Sequence, residues 1–143
     1  MAYLTPNDLT NFFPERELIE LSNLDDATAA TIDAVRIENA IARASEEVDS
    51  YLGLRYKLPL EGEIPPVLQS KVADVVRYYL DIYRTREDVV ERYKDAIAWL
   101  GKLSKGQVTL GIDSNDAPVD QARQIGITSN PAIFTMETLG GLL

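Results

Sequence analysis

Cysteine and histidine are both absent from the 143-residue chain, and together these absences remove most of the usual catalytic repertoire. Without cysteine there is no disulfide framework, thiolate zinc site or thiol nucleophile. Without histidine there is no side chain that titrates near neutrality unperturbed, no Ser-His-Asp triad, and no imidazole metal ligand. An enzyme built on this chain would have to work with carboxylates, Lys and Tyr alone, so the chain reads as non-enzymatic and free of cofactors. Phosphate-loop, dinucleotide and nucleophile-elbow motifs are missing as well, and Gly140-Gly141 leads into no helix. Basic residues are scarce: 14 Lys and Arg stand against 23 Asp and Glu, for a net charge of −9. That is the reverse of the surface that neutralises phosphates in DNA binding. No apolar run approaches the ~20 residues of a membrane span. The segment MAYLTPNDLT has no basic region leading into an apolar core, as a signal peptide would. The expectation is a soluble, acidic, cytoplasmic protein.

What is present is enough for a core. A domain of this length buries roughly 68–70% of its unfolded surface, and 45% of the residues are hydrophobic. Thr5-Pro6 predicts an N-cap with proline in the first turn, opening a short helix over about 6–11. A second short helix is expected from Pro14 to Leu21. Asp33 caps a long helix over 34–52, with Ile37, Ile41, Ala44, Val48 and Tyr51 on its buried stripe and Gly53 ending it in a left-handed turn. The connector 54–66 has no helical period, yet Leu54, Tyr56, Leu58, Leu60 and Ile64 call for burial. Pro66 opens a second long helix, to about Tyr83, with Leu68 or Val67, Val72, Val75, Tyr79 and Ile82 inward. Thr85 and Asp88 resemble a capping box for a third, which carries Val89, Tyr93, Ala96, Ile97, Leu100 and Leu103 and ends at Gly106.

Beyond Gly106 the period changes. Short strands are expected at 107–110 and 124–128, with another extended piece at 132–135. The predicted fold is therefore all-α: a bundle of three long and two short helices over 1–106, followed by an extended arm over 107–143 that carries short strands. An arm holding Val108, Leu110, Ile125, Ile127, Ile133, Phe134 and Leu139 exposes apolar area unless a neighbour covers it. Edge addition of a strand to a neighbouring subunit or partner is one way to do so. Arg55 and Tyr56 read as a pin between connector and body, through a carboxylate such as Asp49 or Asp74, or as part of that interface.

Other polar clusters have plainer readings. Asn23, Asp25, Asp26, Thr28 and Asp33 supply oxygens of the kind Ca²⁺ uses, but without the glycine and closing Glu of an EF-hand loop. They read as a solvated turn and a helix cap, with no metal. Glu46, Glu47 and Asp49 form an acidic run on one helix, read as an exposed face. Tyr78, Tyr79 and Tyr83 have the look of a stacking platform for single strands, which so acidic a chain argues against, leaving core and interface packing.

Taken in order, VDSYLGLRYKLPL (48–60), Pro65-Pro66, DVVRYYL (74–80) and VVERYKDAIAWLGKLSKGQVTLG (89–111) resemble the Mu-type phage and prophage head–tail connector proteins. The resemblance covers about residues 5–111, and more loosely Ile133-Phe134. It implies a helical neck adaptor of the virion that joins the portal ring to a tail or tail-terminator protein, commonly as a dodecameric ring. Assembly would take place in the host cytoplasm, with DNA passing without specific binding and no membrane involved. On that reading Glu46, Glu47 and Asp49 are candidates to face the DNA channel. The family offers no catalytic residues to carry over, and its members often have a fuller Asp/Gly-rich loop where this chain has residues 23–30. Tail-completion or tail-terminator proteins, and a non-viral helical binding module, are the alternatives.

Overall fold

The computed structural model describes residues 1–112, and these form five helices: α1 Pro6–Leu9, α2 Glu15–Ser22, α3 Ala34–Leu52, α4 Pro66–Leu80 and α5 Glu87–Ser104. Among the described residues the architecture is all-α, three long helices and two short ones. The strands expected at 124–128 and 132–135 lie outside the described residues. The strand expected at 107–110 does not form, and these residues pack on the body as irregular backbone.

Local chemistry sets most of the boundaries. At α1, Thr5 Oγ1 accepts from the Asp8 N–H while Asp8 Oδ2 accepts from the Thr5 N–H, so two orphan donors are satisfied reciprocally. At α3, Asp33 Oδ1 accepts from the Val35 and Arg36 N–H groups. Behind α5, Gly106 (φ 77°) takes the left-handed position, with Gly106 N–H donating to Leu103 O and Gln107 N–H to Lys102 O. This pair of bonds is the Schellman closure.

Three boundaries differ from the sequence reading. Gly53 is not left-handed: its φ of −60° continues the α3 spiral into one more tight turn, in which Arg55 and Tyr56 N–H groups donate to Leu52 O. Glycine serves close approach there, because a Cβ would sit 3.1 Å from the Asp49 carbonyl oxygen. α4 stops at Leu80 rather than Tyr83, so Ile82 is 61% exposed instead of facing inward. Thr85 does not cap α5 either. Its hydroxyl donates back to Asp81 O, and Asp88 is held by the Arg86 guanidinium at 2.7 and 3.0 Å. Leu54, expected to be buried, is 73% exposed, whereas Tyr56 is buried and Leu58, Leu60 and Ile64 pack partly against the core.

The helices run up, down, up. Tyr78 lies against Tyr93 and Lys71 beside Asp95, so α4 and α5 are antiparallel. Glu47 meets Tyr93 and Arg55 meets Leu103, so α3 and α5 run the same way. α4 is the central element. Leu68, Val72, Ala73, Val75, Val76 and Leu80 are all buried, and so is Arg77 at 5% exposure. Its guanidinium is held by Glu17 of α2 at 2.7 Å and by Asp81 at 3.2 Å. A buried cation without partners is strongly unfavourable, so this trio also docks α2 onto α4. Arg77→Ala should lower unfolding free energy by about 3 kcal/mol, the lower end for a broken buried pair because Glu17 keeps some water. Urea denaturation followed by helical circular dichroism would measure it.

Candidate functional site

Four residues expected at an interface come together at the end of the body. Arg55 Nη1 donates to Val108 O at 3.2 Å and to Leu103 O at 3.5 Å, while the Leu110 N–H donates to the Tyr56 hydroxyl at 3.2 Å. Leu110 belongs to the core, with Val108 and Ile112 packed against it. Arg55 and Tyr56 therefore fasten the first residues after α5 to the segment after α3, through backbone carbonyls and an amide. Asp49, expected as a carboxylate partner of this pin, is instead held by the Tyr3 hydroxyl and by the Met1 amino group at 2.9 Å. The body extends at least to Ile112, past the boundary expected at residue 106. Ile125, Ile127, Ile133, Phe134 and Leu139 lie outside the described residues.

Gly106 makes this latch possible. A Cβ there would meet Arg55 Nη1 at 2.9 Å, and its φ of 77° is one that L side chains rarely adopt. Gly106→Ala should cost about 1–2 kcal/mol and speed amide exchange at Leu110. Denaturation and hydrogen exchange read the two effects separately.

The acidic run on α3 is divided by the fold. Glu46 is exposed. Glu47 accepts from the Tyr93 hydroxyl at 2.7 Å on one oxygen and from the Tyr79 hydroxyl on the other, so one carboxylate ties α3 to α4 and α5. The expected common face of Glu46, Glu47 and Asp49 is thus not a free acidic surface, because two of the three carboxylates have internal work. Tyr78 stacks on Tyr93 with centroids 4.0 Å apart, and the Arg43 guanidinium lies 4.5 Å above the Tyr79 ring. Tyr78 and Tyr79 are used within the body, while Tyr83 is 76% exposed.

Burial, and then the bond to Glu47, push the Tyr79 phenol up to about 12 and raise Tyr93 for the same reasons. Tyr3 is raised by burial and by Asp49. Unfolded tyrosine titrates near 10, so the unfolded chain loses these protons first. The stability from these phenols is complete below about pH 10 and is lost as pH rises through 12. Tyr93→Phe should cost about 1.5–3 kcal/mol at pH 7, the range for a hydrogen bond to a charged group, and should flatten the fall in stability above pH 10. Melting curves between pH 7 and 11 test both.

The loop before α3 is held by its own side chains. Asn23 Nδ2 donates to Ile19 O and Thr31 O, Asp26 Oδ1 accepts from the Thr28 N–H and hydroxyl, and Asp33 caps α3. A polar cleft beside α2 is lined by Phe12, Phe13, Asp74 and Arg92. Burial raises the Asp74 carboxyl against the opposing pull of Arg92 and Lys71. Asp74, expected with Asp49 as a possible partner of the Arg55–Tyr56 pin, lies in this cleft beside Arg92 and Lys71, and the cleft itself carries no sequence motif.

The structure is thus a helical body with a fastened C-terminal exit, and comparison with known proteins gives its lineage. The chain belongs to the family described as Bacteriophage Mu, Gp36, whose model matches residues 3–128. It is 30% identical over 141 residues to Gene product J of Escherichia phage Mu, covering 98% of this chain and 99% of that protein. It is also 30% identical over 115 residues to the Mu-like prophage FluMu protein gp36 of Haemophilus influenzae, covering 80% of this chain and 81% of the relative. It is a Mu-type phage protein. No helix among the described residues is long and apolar enough to cross a membrane.

Proposed function

We propose that this protein is a structural head–tail connector of the virion neck, joining a portal ring to the tail as a ring of identical subunits. The observation that carries the reading is the latch. Arg55 and Tyr56 hold residues 108–110 against the body, so the position from which residue 113 must continue is fixed. A rigid body with an anchored departing segment suits a part that must reach an adjoining subunit or portal while keeping its own place. The polar groups support this through what they do: Glu47, Arg77, Asp33 and Arg55 are spent on holding helices and loops. The net charge of −9 suits a component past which DNA travels without adhering. In this reading the protein is not an enzyme, and its partners are the portal, a tail or tail-terminator protein, and copies of itself.

The test is co-sedimentation of the purified full chain with the portal ring of the same phage. Binding is expected, and removal of residues 113–143 should weaken it by about tenfold or more, on the scale set by losing interface anchors. Circular dichroism controls for folding of the shortened chain. Portal binding that survives the deletion unchanged would remove the role given to the departing segment. A chain that ignores the portal but binds tail tubes would be a tail-completion or terminator protein instead.

A further inference from the structure

Among the described residues, an apolar recess and an exposed apolar turn stand out on the body. The recess, of about 430 Å³, runs between the N-terminal segment and α3, with Met1, Leu4 and Pro6 on one wall and Ile41 and Ala42 on the other. Ser45 also lines it. That side chain is only 3% exposed, and its hydroxyl has no hydrogen-bond partner. A buried hydroxyl left unpaired is unfavourable and calls for an explanation. Glu38 and Glu46 stand at the rim, both exposed and neither in an ion pair among the described residues.

The projection is the turn between α4 and α5. α4 ends at Leu80, which leaves Ile82 61% and Tyr83 76% exposed, followed by the exposed Arg84. An adjacent isoleucine and tyrosine held out in water are poorly explained by solubility, whereas tyrosine is among the residues enriched at interface anchors. The two surfaces face different ways. At about 100° per residue, Glu38, Ala42 and Ser45 lie on the flank of α3 opposite Arg43 and Glu47, and Glu47 is bonded to α4 and α5.

We propose that Ile82 and Tyr83 of one copy seat in the recess of the next, with Arg84 meeting Glu38 and Glu46 at its rim. The occupant is a second copy because one chain carries both halves: an apolar recess with an acidic rim, and an apolar projection with a basic neighbour. Such a contact is head-to-tail rather than self-complementary, and repeated it closes a ring when the rotation between copies divides a full turn, and otherwise runs on as a filament. The inference rests on the ring in the proposed function and names its subunit contact.

The absence of cysteine gives a clean test. Full-length Tyr83→Cys and Ala42→Cys chains are prepared separately, then oxidised mildly alone and mixed, with and without the portal ring. A covalent dimer is expected at least about tenfold more abundant in the mixture than with either variant alone. Arg84→Glu in the Tyr83→Cys partner should reduce that yield about tenfold, and Glu46→Arg in the Ala42→Cys partner should restore it. Equal yields in mixed and unmixed samples would overturn the head-to-tail contact. Rings that assemble on the portal with no mixed dimer would overturn this contact and leave the connector reading standing; absence of both rings and portal binding would sink both. A benzophenone on Ala42→Cys identifies the occupant: a peptide containing 82–84 of another copy supports the contact, whereas a portal peptide or one from 113–143 refutes it.

Discussion

The body depends on burying α4 on nearly every side. Six apolar side chains of that helix are buried, and Arg77 goes in with them. A guanidinium cannot be left bare there, since the cost of removing its water is recovered only through well-placed carboxylates. Asp81 comes from the end of the same helix and Glu17 from α2, so satisfying one charge also fixes where a short helix lies. α2 is too short to be stable by itself. Its place on the body comes from Leu18 and Leu21 in the core and from this bond.

A similar economy governs the acidic side chains. A chain with 23 carboxylates suggests a broad solvated surface, and several of them are tied up in fixed contacts instead. Glu47 accepts from two phenols on two other helices, Asp49 from Tyr3, and Asp8 and Asp33 from helix-start amides. In each case an acceptor-only group meets donors that would otherwise be left unpaired. With no histidine available, tyrosine hydroxyls and arginines supply the matching donors. That leaves a body in which these carboxylates serve as fixed contacts between its elements.

How much of this was legible in the residues depended on whether the signal was local. Helix starts at Thr5-Pro6, Asp33 and Pro66 were readable because capping and proline geometry act within one turn, as was the stop at Gly106. The buried stripes of α3 and α5 followed from apolar spacing. The end of α4 did not, because Ile82 continues the helical period while Thr85 and Asp81 close the turn through a bond that periodicity cannot register. Arg55 and Tyr56 stood out as a pin, but their partners were misjudged. The sequence pointed to Asp49, which is held by Tyr3 and Met1, while the Arg55 guanidinium reaches the carbonyls of Leu103 and Val108. Glu47 was grouped with Glu46 and Asp49 by adjacency, though successive residues on a helix point about 100° apart. The Ser45 recess had no sequence signal, since its opposite wall comes from the N-terminal segment.

The latch fixes the chain just behind α5. After a helix stops, the chain can leave in many directions, and each ordered residue costs about 1–2 kcal/mol of backbone entropy. Gly106 turns the chain back at a φ of 77°, a conformation L side chains rarely adopt, with the Arg55 guanidinium lying against it. Arg55 and Tyr56 then take up a carbonyl and an amide that no strand partner satisfies, and Leu110 adds apolar burial. The path of residues 106–110 is therefore set by Gly106 together with two neighbouring residues, Arg55 and Tyr56, some fifty positions earlier in the chain. If the segment beyond must find a neighbouring molecule, fixing its origin narrows the volume it searches and raises its effective concentration at the target.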